Sequence, residues 1–328
     1  MQQTERENFL KNAITIVDYT KEAFVCLVDR YIVDKNWTFE EFIDNNQHEI
    51  YHLCYNRYSC CKCPFGYILP NRRVLQPAQL DVLFDKLSKL ATCKNSSEYC
   101  CTNAKNSISS TVLDLSLARC LLTNLCLDVF WYSCLQFQNQ DLNVFLNKNK
   151  HDLYHLWQPN SKCCQCPAGK RSSTSQADIV QAEWNQMFAI PIIPCPLHRK
   201  RGVVGCSNDI CAVSAASGLT VNQLTPSLQK VILQHCCHLR KTVEKLVEIR
   251  NQDYGHATKG KMSNSEYDKC QAELKSGILE IAKVCDNEED FKQKLQSVQK
   301  RSLDETLCRQ YQNALLEFLN RQKDVSTF

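Results

Sequence analysis

Glycine is scarce in this chain, with eight in 328 residues, and methionine and tryptophan are scarcer, at three and four. With 44% apolar and 23% charged residues the composition excludes both disordered and fibrous architectures. No apolar run reaches the roughly 18 to 20 residues of a membrane helix, because Asp, Arg, Lys or Asn interrupts each one. The opening MQQTERENFLKN lacks a basic segment followed by an apolar one, so no secretory signal is expected. Charge of one sign is also missing. A formal net charge of +4 identifies no partner by itself. These absences predict an intracellular protein, cytoplasmic with the nucleus as an alternative, and no membrane partner.

What the chain does hold is cysteine, 22 of them. Cys26, Cys120, Cys126, Cys134, Cys236, Cys285 and Cys308 fall in helical patterns and read as buried small side chains or helix-surface thiols. The others gather around histidines at metal-ligand spacings, which a disulfide framework would not require. Without a secretion signal, free thiols and zinc are the expectation rather than disulfides.

The chain also repeats itself. FIDNNQHEIYHLCYNRYSCCKCPFG at 42–66 returns 103 residues later as FLNKNKHDLYHLWQPNSKCCQCPAG at 145–169. Each copy follows an apolar, helical segment, at roughly 9–33 and 112–137. In the first, Phe9, Ala13, Ile16, Val17, Phe24, Leu27, Val28 and Tyr31 recur at three- and four-residue steps, as one buried helix face does. A shorter helix with Phe42, His48 and His52 precedes the cysteine knuckle, and 77–91 and 177–189 read as further helices. Residues 96–110 and 171–175 read as loops.

Structural zinc takes four nitrogen or sulfur ligands in a tetrahedron, commonly two from a tight knuckle. Cys60-x-x-Cys63 and Cys163-x-x-Cys166 supply such knuckles. A histidine stands eight positions before each, at His52 and His155, and a lone cysteine follows, Cys93 after 30 residues and Cys195 after 29. Two sets result: His52, Cys60, Cys63 and Cys93, then His155, Cys163, Cys166 and Cys195. Alternatives stay open. Cys61 or Cys164 can replace its neighbour, Cys100 and Cys101 are alternatives for the first site, and His198, Cys206 and Cys211 can complete the second or form another. Structural zinc, two ions or more, is therefore expected.

His48 and His151 stand four residues before His52 and His155, on the same helix face. The segment His48-Glu49-Ile50-Tyr51-His52 matches HExxH, the signature of zinc hydrolysis. Its duplicate carries Asp152 instead of glutamate, and the nearby thiols would fill the open position that hydrolysis needs. A closed site is inert. Glu49 and Asp152 are accordingly read as helix-face acids or groups that orient a histidine.

Beyond Cys195 a turn-rich basic stretch leads to Thr225 and Pro226, a helix cap and first turn. Leu228, Ile232, Leu239, Val243, Leu246 and Ile249 predict a long helix over 226–254. Ser263 and Glu266 make a capping box for a helix near 264–285, and shorter helices follow at 288–300 and 304–321. The expected architecture is mainly α, with zinc-stabilised helical modules at 1–110 and 111–211 and a four- to five-helix bundle at 212–328.

EIRNQDYGHATKGKMSNSEYD, which ends the long helix, resembles the HEPN domain (higher eukaryotes and prokaryotes nucleotide-binding), over roughly 222–325. In HEPN ribonucleases the motif is Arg, a polar residue, a few variable positions, then His, and Arg250, Asn251 and His256 match it. The resemblance implies metal-independent cleavage of single-stranded RNA, with His256 as acid or base, Arg250 on the phosphate and Asn251 positioning them. It also implies a homodimer through the C-terminal helices. Ten Lys or Arg against four acids between 199 and 262 would favour an RNA backbone, with Tyr254 and Trp157 as stacking candidates. The expected function is therefore RNA binding or cleavage. The alternative is a noncatalytic, zinc-dependent scaffold for protein partners and dimerisation, in innate immune or ubiquitin signalling.

Overall fold

The stripe of Phe9, Ala13, Ile16, Phe24, Leu27 and Val28 is fully buried in the computed structural model, which describes residues 2–166, 177–189 and 210–326. The helix that carries it runs over Gln2–Ile14, loosens into a π-helical turn at Thr15–Thr20 and continues through Lys21–Asp34. Two threonine hydroxyls bond to carbonyls around that turn, Thr15 Oγ1 to Lys11 at 2.9 Å and Thr20 Oγ1 to Thr15 at 3.2 Å. The chain as described is mainly helical, with short antiparallel strand pairs.

Contacts divide it into two compact units, Met1–Val129 with Thr242–Phe328, and Phe130–Lys241. These differ from the repeat boundaries. In the first unit the N-terminal helix packs against the Asn264–Val284 and Glu305–Ser326 helices, and Lys21–Asp34 packs against Leu115–Leu125 and Asn264–Val284. The expected separate bundle over 212–328 is thus corrected. The C-terminal helices share their core with residues 2–34, because the long N-terminal apolar stripe buries itself there. Gly277 marks how closely the Asn264–Val284 helix approaches the helix His238–Gln252, since a Cβ at that position would lie 2.9 Å from Leu246 Cδ2.

Polar bonds reinforce the junction. Asn12 Nδ2 donates to Asp253 Oδ2 at 2.6 Å, and Gln271 Nε2 donates to Asn12 Oδ1 at 2.9 Å, all three side chains being buried. Such a network specifies one arrangement of the helices, because breaking it leaves buried polar atoms unsatisfied.

In the second unit the helix Leu142–Trp157 starts at Asp141, whose carboxylate accepts from the Val144 amide at 2.8 Å. It packs against Gln181–Met187 and Pro226–Cys236. Trp131 Nε1 donates to Gln229 Oε1 at 3.0 Å. The helix expected over 226–254 is interrupted. Pro226–Cys236 ends at Cys237, whose backbone is extended, and His238–Gln252 begins anew. Cys237 is buried, and its sulfur accepts from the Arg240 amide at 3.4 Å, so the thiol caps the second helix while the first stops. No helix among the described residues is long and apolar enough to cross a membrane.

Candidate metal centres

The helix Gln47–Cys54 turns Ile50, Tyr51 and Leu53 into the core, and this fixes its rotation. His48 and His52, one turn apart, then face the knuckle that follows. His52 Nε2 lies 3.1 Å from Cys63 Sγ, His48 Nε2 3.6 Å from the same sulfur, and Cys60 Sγ 3.6 Å from it. The same arrangement recurs in the second unit. His155 Nε2 is 3.1 Å from Cys166 Sγ and 3.7 Å from Cys163 Sγ, the two sulfurs are 3.6 Å apart, and His151 Nε2 is 3.8 Å from Cys166 Sγ. Tetrahedral metal–sulfur bonds of about 2.3 Å put sulfurs about 3.8 Å apart, so these donor sets fit one ion each.

A third set stands beside the first. Cys61, Cys93, Cys100 and Cys101 have their sulfurs within 4.8 Å of one another, Cys61 and Cys93 at 3.4 Å and Cys100 and Cys101 at 3.8 Å. Among the described residues, then, three four-ligand groups can hold a metal. Cys93, expected with His52, Cys60 and Cys63, belongs instead to this all-cysteine group, and His48 takes its place in the first. The physical reason is the direction of side chains in the CCxC turn, where Cys60 and Cys63 point to the histidines and Cys61 points to the 93–101 loop.

The surroundings are built for ligation. The Cys63 thiol accepts from the Cys60 amide at 3.2 Å and the Cys60 thiol from the Lys62 amide at 3.3 Å, as Cys166 accepts from the Cys163 amide at 3.4 Å. These amides hold the sulfurs in place within the knuckle turn. His52 Nδ1 lies 3.3 Å from the Tyr55 carbonyl, which presents Nε2 as the ligand atom. Glu49 lies 3.6 Å from His48 Nδ1 and Asp152 lies 3.7 Å from His151 Nδ1, each beyond hydrogen-bond distance. Burial holds the His52 and His155 imidazoles below their ordinary pKa, in the neutral form a metal takes. It pushes the Cys163 thiol up to about 11, a cost that a bound cation reverses.

The two copies share their backbone frame. The Leu53 carbonyl accepts from the amides of Val74 and Leu75, as the Leu156 carbonyl does from Asp178 and Ile179. Phe84 pairs with Ala104 and Phe188 with Ala215. Cys100 stands four residues before Ala104 and Cys211 four before Ala215, while Cys164 matches Cys61 in the knuckle. Cys195, His198 and Cys206 lie outside the described residues.

Arg250 is only 1% exposed. Its Nη1 donates to Ser116 Oγ at 2.9 Å, and its Nε and Nη2 to Asn251 Oδ1 at 3.2 and 3.0 Å. Burial, with Arg119 nearby, lowers the guanidinium pKa to about 10, still protonated at neutral pH. His256 is a quarter exposed, with Nε2 3.9 Å from Glu266. Trp157 stacks on Trp184 at 4.8 Å, Arg240 lies over the Phe130 ring, and Lys245 pairs with Glu248 and Glu273. The Tyr254 side chain and residues 199–201 lie outside the described residues.

Asp253, between Asn251 and His256, carries a testable consequence. Burial raises its pKa from 3.8 to about 6, so the fold favours the protonated acid. A raised carboxyl contributes stability that is complete below pH about 4 and lost as the pH rises through about 6. Asp253→Asn keeps an acceptor for Asn12 and removes the titration. It is expected to stabilise the fold at pH 7 by about 2–3 kcal/mol and to flatten the pH 4–6 slope in urea titrations. An unchanged slope would refute the assignment. No family model matches the chain, and no curated protein and no solved structure matches it either.

Proposed function

We propose that this chain is a noncatalytic, zinc-stabilised scaffold whose knuckle modules present binding surfaces to partners and whose C-terminal helices pair two copies. The observation that carries this reading is the closure of every described ligand set, two of two imidazoles with two thiolates and one of four thiolates. Zinc suits such donors best, and a filled tetrahedron leaves no position for a substrate or an activated water. The ions then supply folding energy rather than chemistry.

RNA cleavage at Arg250, Asn251 and His256 is the competing reading, and it requires a guanidinium free to meet a phosphate. The burial of Arg250 against Ser116 and Asn251 speaks for a structural role. Purified protein is therefore expected to carry at least three metal ions per chain, to sediment as a dimer, and to leave unstructured RNA intact. Cleavage by the wild type that disappears in His256→Ala, with the fold preserved, would overturn the scaffold reading in favour of the nuclease.

A further inference from the structure

The loop after the first knuckle, Pro64-Phe65-Gly66-Tyr67-Ile68-Leu69-Pro70, contains seven residues and one polar side-chain atom, the Tyr67 hydroxyl. Surface loops are ordinarily polar. Here the Tyr67 amide bonds back to the Pro64 carbonyl at 3.1 Å and Gly66 has φ +79°, a tight turn that puts Phe65 at its corner. Tyr67 packs on the His48 and His52 rings at 4.8 and 5.2 Å and so ties the loop to the ligands. Phe65 and Ile68 are left outside, 109% and 87% exposed, with Tyr58 at 67% on the other side of the knuckle.

The duplicate says whether the knuckle needs these side chains. At the offset of 103 residues that aligns the cysteines, Tyr58 becomes Ser161, Phe65 becomes Ala168 and Ile68 becomes Arg171. The second copy keeps every knuckle ligand and dispenses with all three apolar tips, so the ligands come together without them. Charge then selects their occupant. From residue 50 to residue 80 there is no Asp or Glu, while Lys62 and Arg72 are exposed on either side of the apolar loop. An apolar tip flanked in sequence by exposed cations complements a bilayer whose surface is anionic, where aromatic and aliphatic side chains enter the interface and Lys or Arg meet the headgroups. Single-stranded RNA fits less well, because Ile68 offers no flat face and the loop carries almost no hydrogen-bonding groups to read base edges.

We infer that the first knuckle module docks peripherally on anionic phospholipid membranes, with Phe65 and Ile68 inserted and Lys62 and Arg72 on the headgroups. This goes beyond the scaffold reading and departs from the expectation of no membrane partner, while remaining compatible with the absence of a membrane-spanning helix among the described residues. The metal-loaded full chain should cosediment with vesicles of phosphatidylserine and phosphatidylcholine and only weakly with phosphatidylcholine alone. Phe65→Ala with Ile68→Arg installs the side chains of the duplicate, and should lower binding about tenfold or more with metal content unchanged. Lys62→Ala with Arg72→Ala should lower it about tenfold on anionic vesicles and remove its salt sensitivity. Equal sedimentation of wild type and the Phe65/Ile68 variant would overturn the inference. So would binding to a single-stranded RNA oligonucleotide, or self-association, that depends on these residues while vesicles are ignored. None of these failures touches the closed ligand sets on which the scaffold reading stands.

Discussion

Stripping the metal should open both knuckle regions to trypsin while leaving the helices around residues 2–34 and 264–299 folded. The reason lies in what else holds the first knuckle. From Tyr55 to Val74, twenty residues, no side chain is buried, so hydrophobic burial supplies almost nothing to close this loop. Its order rests on one turn, a few hydrogen bonds and the sulfurs of Cys60, Cys61 and Cys63. Apparent binding free energies of structural zinc run to roughly 10–16 kcal/mol in small zinc-dependent domains, far above the remaining contacts here. Lys62, Arg72 and Arg73 should accordingly become rapid cleavage sites after a strong chelator, and resistant again when zinc is restored. Cys60→Ser with Cys63→Ser should reproduce the chelated state in the first module alone. The helical unit behaves otherwise, since Phe9, Phe24, Leu27, Leu274 and Ile278 are fully buried there without help from a metal. Far-ultraviolet circular dichroism should therefore fall only modestly. Trypsin resistance equal with and without chelator, or native protein that carries no metal and has Cys60 joined to Cys63 as a disulfide, would defeat this account.

The ligand types were legible in the sequence, and their grouping was not. CxxC spacing and a duplicated histidine identify a metal-binding chemistry without any coordinates, because few other arrangements need those residues twice at one spacing. Which thiol of Cys60-Cys61-x-Cys63 faces which way depends on the backbone of the turn, and linear spacing carries no such information. His48 and His151 were hidden differently. The adjacent acid in His48-Glu49 directs attention to hydrolysis, whereas the recurrence of both histidines four residues apart in both copies was the usable sign of two ligands per helix. The N-terminal stripe illustrates a further limit. Periodicity says that Phe9, Ala13 and Ile16 are covered, but the covering helices lie more than 240 residues away in sequence, at Asn264–Val284 and Glu305–Ser326. Local pattern cannot name so distant a partner. For the same reason the 212–328 bundle looked self-sufficient, although residues 226–236 pack with the second repeat's Leu142–Trp157 helix.

Replacing Arg250 should cost stability rather than activity. Its side chain is among the largest fully buried ones, and its guanidinium satisfies both Ser116 Oγ on the Leu115–Leu125 helix and Asn251 Oδ1. Arg250→Ala removes these donors and leaves a cavity, two losses that together amount to about 3–5 kcal/mol. Arg250→Met keeps most of the volume and should cost about half as much, which separates packing from hydrogen bonding. Arg250→Lys retains a charge but cannot span both acceptors, because an ammonium lacks the planar fork. It should therefore fall near Met in urea midpoint rather than near wild type. The nearby Arg119 adds to this, since it repels a cation at position 250 while held by Glu244 at 2.6 Å. A nuclease would sort these variants in another order, with lysine partly active, methionine dead, and stability flat across the series. Stability that follows Arg, then Met and Lys, then Ala, with RNA untouched throughout, assigns Arg250 to the architecture of the helical unit.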